Sequence, residues 1–525
     1  MIKAKKEEIF KLFRTASRLS FSGNPDGGAL PEPETNSTAG KQGKGVDWRT
    51  FGAMMEVLSQ PATQARYFVA RLVGSKSARA LHIAAANGET SLVKVLLDKG
   101  ANINATSDNR PRWTALHHAA SNGHIKVVKV LLDRGADMEL ISDNGSALHR
   151  AAREGHIAVV KELLDRGAAI DAMDDTKSTA LHPAATGGHI KVVKELLDRG
   201  ATVDAMNDHK WTCTALYRAA SFGHIEVVKM LLDRGATIDA TNDHKSTALH
   251  WAAIGGHIEV VKILLDRGTT IDAMDDTKST ALHWAARHGC IEVVKVLLDR
   301  GATIDATADY TGTALHGAAT WGHIEVVKEL LDRGAAIDAM DDTKSTALHW
   351  AATGGHTEVV KILLGRGATV DAAADSKWTA LHQAAHHGYI EVVKVLLDRG
   401  ANIDATNVKG RTTLHEACNR EISEWLLWDP RRIDVVKALL ERRTSTSIDI
   451  TDKSGDTALH CAARRTRPSA EIIQLLLDNG ANTDRKNDNG ETALDIARRR
   501  GWGRGVTLLT STPHIDKVAG IDSVL

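Results

Sequence analysis

Aromatic side chains make up only 4% of this 525-residue chain although 43% of it is hydrophobic, so the apolar content is mostly Ala, Leu, Val and Ile. That mix disfavours one thick core and suits thin helical layers. Cysteine is scarce too. Cys213, Cys290, Cys418 and Cys461 stand far apart with no C-x-x-C, so neither a disulfide framework nor a thiolate zinc cluster is signalled and reduced thiols are the expectation. Neither sign of charge is in excess: Lys+Arg and Asp+Glu both total 66, so there is no basic footprint of the kind nucleic acid or an anionic membrane selects. Nowhere do 18 apolar residues run together, and the N-terminus is charged where a secretory signal needs a hydrophobic stretch. The expectation is a soluble cytoplasmic chain without a transmembrane segment, with a nuclear location as the lesser alternative.

What is present is repetition. A T-A-L-H type motif places its leucine at Leu81, Leu116, Leu148, Leu181, Leu216, Leu249, Leu282, Leu315, Leu348, Leu381, Leu414, Leu459 and Leu494, thirteen units in all. The spacing is 33 in most steps and stretches to 45 between Leu414 and Leu459. Met274 to His283 even repeats as Met340 to His349, residue for residue.

One unit can be read from its own residues. In the segment from Ser246, Thr247 is placed to cap a helix whose apolar face is Leu249, Ala252 and Ala253. Gly255 and Gly256 end it, because the reversing chain needs a left-handed residue. A second helix follows with Ile258, Val261, Leu264 and Leu265 inward and Glu259, Lys262, Asp266 and Arg267 outward, closed by Gly268. Two short helices alternate with a turn, and a unit this small must cover its neighbour's face to be stable.

The period and wording resemble the ankyrin repeat, a hairpin-like turn followed by two antiparallel helices. The implied fold is all-α, a solenoid of tandem helix-turn-helix repeats over residues 75–510. Most units depart from the family pattern before the leucine, with Ala180, Ala248 and Ala281 where proline is usual. Lys177, Lys278 and Lys344 stand where the family has a turn glycine, while Gly410, Gly455 and Gly490 match. Non-glycine residues resist positive φ, so the central turns are expected to be more open than the family form.

Outside the array, residues 1–21 read as a basic amphipathic helix, 22–46 as a flexible linker, 47–74 as a helical N-terminal cap and 511–525 as a tail. The segment around 420–432 inserts Trp425, Leu426, Leu427 and Trp428 where other units turn briefly, and it either folds back on the stack or offers a docking patch. The terminal Asp522-Ser523-Val524-Leu525 resembles a C-terminal PDZ-domain ligand, a short match that is common by chance.

Candidate chemistry dissolves on inspection. Eleven histidines follow the repeat leucine, as His182, His250 and His283 do, and the resemblance implies that they hydrogen-bond neighbouring turns. Seven more, such as His189, His257 and His323, follow the inter-helix glycine; once-per-unit recurrence marks scaffold. His386 and His387 lack a third ligand nearby in sequence. No G-x-S-x-G, phosphate loop or H-E-x-x-H occurs. Asp174-Asp175, Asp275-Asp276 and Asp341-Asp342 lie in turns, where aspartate bonds backbone amides. The recurring Asp-Arg-Gly reads as a solvated helix C-terminus. No catalytic residue, metal or cofactor is expected.

The informative deviation is where aromatics go. Trp113, Trp211, Tyr310 and Trp378 fall in turns, Phe222 and Trp321 at the end of the first helix, and Trp251, Trp284 and Trp350 directly after the motif histidine. The resemblance implies that these positions form a concave partner-binding surface, and aromatic anchors are over-represented in hot spots. For the three tryptophans after the histidine, internal packing along the first helices is the competing reading. With Trp425 and Trp428 of the insertion, these eleven residues are the candidate partner contacts. The expected function is a non-enzymatic scaffold that binds a protein or peptide. The alternative is the sensor or targeting array of a larger signalling or enzyme complex, with residues 1–74 as effector or membrane contact.

Overall fold

The N-caps of the first helices show how the motif folds. Thr247, Thr280, Thr313 and Thr346 are all extended and precede helices whose third residue is the motif histidine, closing a reciprocal capping box. The computed structural model describes residues 78–107, 112–143, 145–207, 214–419, 431–442, 448–465 and 469–511. Residues 1–77, which carry the predicted amphipathic helix, linker and cap, lie outside it, as do the apolar core of the insertion and nearly all of the tail.

The described residues fall into two units, one ending at Asp243 and one beginning at His244. The first holds five helix pairs: α1 (Ala78–Ala86) and α2 (Thr90–Asp98), α3 (Ala115–Ser121) and α4 (Ile125–Asp133), α5 (Ala147–Arg153) and α6 (Ile157–Asp165), α7 (Leu181–Thr186) and α8 (Ile190–Asp198), α9 (Ala215–Ser221) and α10 (Ile225–Asp233). The second holds eight: α11 (Ala248–Ile254) and α12 (Ile258–Asp266), α13 (Ala281–Arg287) and α14 (Ile291–Asp299), α15 (Ala314–Trp321) and α16 (Ile324–Asp332), α17 (Ala347–Gly354) and α18 (Thr357–Gly365), α19 (Ala380–His387) and α20 (Ile390–Asp398), α21 (Thr413–Asn419) and α22 (Arg431–Arg442), α23 (Ala458–Arg464) and α24 (Ala470–Asp478), α25 (Ala493–Arg499) and α26 (Gly503–Thr510). Within each unit first helices pack on first helices and second on second, so the all-α solenoid of tandem repeats is the observed architecture. Leu249, Ala252 and Ala253 of α11 are buried as the periodicity expects; in α12 Val261 and Leu264 are buried, but Val260 joins them while Ile258 and Leu265 are only half-buried, so the inward face is rotated from the expected stripe.

The turns correct one expectation. Lys177, Lys278 and Lys344 do adopt positive φ, at +55°, +58° and +55°. Their turns are closed: the Lys278 N–H donates to the Asp275 carbonyl at 3.0 Å. The physical reason is the neighbouring aspartate. Asp275 Oδ1 accepts from the Thr277 N–H, the Thr277 hydroxyl and the Ser279 N–H at 2.6–2.9 Å, which offsets the strain of a left-handed lysine. Asp174 and Asp341 repeat the arrangement.

The Asp-Arg-Gly helix ends also do more than face water. Arg166 reaches Asp133 of the preceding repeat at 2.7 Å, Arg199 reaches Asp165 at 2.7 Å, and Arg333 reaches Asp299 at 2.7 Å. These pairs are exposed and individually worth little, and they recur between successive second helices.

Candidate partner-binding surface

Nine motif histidines, from His117 to His460, use both ring nitrogens. In the second unit, His316 Nδ1 accepts the Thr313 N–H at 3.0 Å while Nε2 donates to the Ser345 carbonyl of the next repeat at 3.0 Å. A backbone N–H can only donate, so Nδ1 is bare and Nε2 carries the proton. Burial drives the pKa of His316 and His349 down against the upward pull of these carbonyl bonds. A ring so committed is neutral and unavailable as a general base. The histidines after the inter-helix glycine are equally engaged: His189 Nε2 donates to the Arg153 carbonyl at 2.8 Å and His323 to the Arg287 carbonyl at 2.9 Å. Burial likewise pushes the Cys418 thiol up to about 12, so it is no nucleophile.

Between the constant buried leucine, histidine and alanines, one position of each first helix changes from repeat to repeat. It holds Ile83, His118, Arg150, Pro183 and Arg218 in the first unit, and Trp251, Trp284, Gly317, Trp350, Gln383, Glu416, Cys461 and Ile496 in the second. The tryptophans there are half-buried. Trp284 Nε1 donates to Asp275 Oδ2 at 2.9 Å and Trp350 Nε1 to Asp341 Oδ2 at 2.8 Å, so the aspartates that close the turns also orient the indoles. Arg287 links Trp284 to the end of the next first helix, with its guanidinium 5.6 Å from the Trp284 centroid and 5.8 Å from that of Trp321.

The remaining aromatic positions are more varied. Tyr310 is 83% exposed at a turn tip with φ +62°, Trp321 is 56% exposed, and Phe222 is 51% exposed and stacked on His224. Trp378 is half-buried, edge-on to His386 at 5.2 Å. Trp113 is half-buried and lies under the Arg150 guanidinium at 4.4 Å. Trp211, Trp425 and Trp428 fall outside the described residues.

Charged residues in the same column escaped the sequence reading, although the column itself was the available signal. Glu416 is buried in a satisfied network: it accepts from Asn407 Nδ2 at 3.0 Å and faces His386 and Arg411. Burial pushes its pKa up, yet the His386 and Arg411 contacts outweigh burial and hold it below the usual range. Arg150, 5% exposed, has no hydrogen-bond acceptor at Nε or one terminal nitrogen, and Arg218 has none at Nε. Burial, then the nearby Arg153, brings Arg150 down to about 10.

A family model for ankyrin repeats, taken three copies at a time, matches residues 64–142, 81–174, 148–242, 239–308, 305–374, 367–435 and 429–519. The chain belongs to the ankyrin repeat family. Ankyrin repeats are generic protein-interaction modules, and the family is typically non-enzymatic. This ankyrin chain is 41% identical over 83 residues to Ankyrin repeat and SOCS box protein 11 of Homo sapiens, covering 16% of the chain and 24% of that relative. It is 37% identical over 81 residues to Oxysterol-binding protein-related protein 1 of Mus musculus, covering 15% and 8%. The chain thus spans about a quarter or less of these relatives. The crystal structure of the human ASB11 ankyrin repeat domain aligns with 44% of this chain and 97% of that domain, at 30% identity and a TM-score of 0.38. No helix among the described residues is long and apolar enough to cross a membrane.

Proposed function

We propose that this ankyrin array is a non-enzymatic scaffold whose turn tips and first-helix faces bind a protein or peptide, with the aromatic stretch of the second unit as the principal contact. The observation that carries this reading is the changing column: Trp251, Trp284 and Trp350 stand between invariantly buried neighbours, with Trp321 and Tyr310 exposed beside them. Repeat packing alone gains nothing from the exposed Trp321 and Tyr310, whereas an interface gains large area from aromatic side chains at low conformational cost. Trp378 extends that contact, Trp113 and Phe222 are candidate contacts of the first unit, and Trp211, Trp425 and Trp428 are candidates from sequence alone. The test is affinity for a partner recovered by proximity labelling, measured with wild type and with Trp284→Ala/Trp321→Ala/Trp350→Ala. Loss of at least about tenfold is expected; unchanged affinity overturns the assignment.

The second reading places the array in a larger signalling or enzyme complex, with residues 1–74 as effector or membrane contact. It draws on the small share of each curated relative that the matching segment occupies. Deleting residues 1–46 separates the two. Output or localisation lost while partner affinity persists favours the second reading.

A further inference from the structure

The first unit carries an open cavity of about 310 Å³ where Pro183 interrupts the column of long side chains. Arg153 of α5 and Arg218 of α9 stand on either side of it, with Asp174 and Thr186 completing the wall. Arg218 brings an Nε hydrogen that has no acceptor, in a half-buried guanidinium whose pKa burial lowers. Arg150 of the same helix does not line the cavity; it is nine-tenths buried over Trp113, unsatisfied at two nitrogens, and its charge adds to that of Arg153. Buried donors are nearly always satisfied in native proteins, and a buried guanidinium without an anion is costly. Glu416 and Asp456 of the second unit show the alternative, since both are enclosed by arginine and asparagine partners of their own chain. At the cavity Arg218 lacks such a bond at Nε, with Asp174 as its nearby countercharge and Arg153 as an opposing cation.

We propose that this cavity receives the carboxylate of an acidic side chain from a bound peptide, held by the Arg153 and Arg218 guanidinium groups. The inference rests on the reading that this face binds a protein or peptide, and deepens it. A guanidinium fork matches a carboxylate in bidentate geometry. Asp174 and Asp143 in the lining select a monoanion over a phosphate dianion. Asp174 does not compete for the site through Oδ1, which accepts from Thr176 and Ser178 of its own turn.

The experiment selects random 16-residue peptides against the full chain and measures their affinity by fluorescence anisotropy. Peptides carrying a central Asp or Glu are expected. Replacing that residue by Gln or Asn, or the protein's Arg153 or Arg218 by Gln, is expected to weaken binding at least about tenfold. Arg153 is exposed, so Arg153→Gln reports even if Arg218→Gln fails to fold. Selected peptides indifferent to the carboxylate, or bound equally by Arg153→Gln, overturn the proposal. If their binding still falls with Trp284→Ala/Trp350→Ala, the broader interaction reading survives. A phosphoserine peptide tighter than its Glu counterpart overturns the carboxylate assignment, and a chain that takes no peptide overturns both readings.

Discussion

His250 joins two neighbouring repeats through a single ring: its Nδ1 accepts the Thr247 N–H at 3.1 Å, and its Nε2 donates to the Ser279 carbonyl at 3.1 Å. The first bond caps the helix that the histidine belongs to, and the second ties that helix to the following turn. Local structure and inter-repeat packing therefore depend on the same side chain.

Removing the ring should accordingly cost more than a cap or a contact alone. In His250→Ala the Thr247 N–H and the Ser279 carbonyl both lose a buried partner, and a cavity is left beside Leu249. We expect a loss of roughly 2–4 kcal/mol in urea unfolding, with faster amide exchange concentrated around α11 and α13. A loss below about 0.5 kcal/mol would show that the ring is replaceable by water.

Acid should act on the same rings. Burial lowers the pKa of His149, His283, His316, His349, His382 and His415, and that of His117 falls from 6.5 to about 4. A depressed folded pKa means that the unfolded chain binds the proton more readily. The stability linked to these rings is thus complete above pH 6.5 and is lost as pH falls from 6.5 towards 4. His117 alone shifts the balance by about 3 kcal/mol across that window. The urea midpoint is expected to fall between pH 7 and pH 5 and to stay level between pH 7 and pH 8. The pH 7 to 5 interval lies above the range where Asp174 and Asp341 titrate, so a fall there reports histidine. A midpoint that rises on acidification would be incompatible with it.

Two glycines of the first unit separate backbone strain from crowding. Gly188 and Gly200 both have positive φ, at +68° and +89°. A Cβ on Gly188 would stand 2.5 Å from His224 Nδ1, whereas one on Gly200 would meet nothing within 4 Å. Gly200→Ala should destabilise by about 1 kcal/mol from φ alone. Gly188→Ala should cost a further 1–3 kcal/mol, roughly, because the His224 ring must leave its 2.8 Å bond to the Thr186 carbonyl. Equal losses in calorimetry would mean that the ring moves freely.

Much of this was legible in the sequence, and the gaps have physical causes. Thr247, Leu249, Ala252 and Gly255 mark a capped helix and its end because those signals are local. The resemblance to ankyrin repeats supplied the role of the motif histidine, which no local pattern gives, since its Nε2 partner lies 29 residues away. Lys278 was misjudged because φ preference was weighed by residue, apart from the Asp275 carboxylate that holds the same turn. Asp299 and Arg333 looked like separate solvated ends; their pairing appears only once the repeats stack. Arg150 and Arg218 share the tryptophan column, but their enclosure and unsatisfied nitrogens arise only once neighbouring repeats stack.

The lysine turns give the sharpest test of how local strain is held. Lys344 sits at φ +55° with its N–H bonded to the Asp341 carbonyl at 2.9 Å, and its ammonium pairs at 2.6 Å with Asp375 in an exposed bridge worth little. Lys344→Gly keeps the turn and relieves the left-handed strain, so we expect stability to rise by roughly 0.5–1 kcal/mol. Asp341→Ala should do the opposite. It removes the acceptor for Thr343 and Ser345 and frees the Trp350 indole, and a loss of about 2 kcal/mol follows. If the carboxylate is what holds lysine in the left-handed region, Lys344→Gly should gain more stability in the Asp341→Ala background than in the wild type, because glycine reaches that conformation unaided. Equal gains in the two backgrounds would mean that the carboxylate does not offset the strain at Lys344.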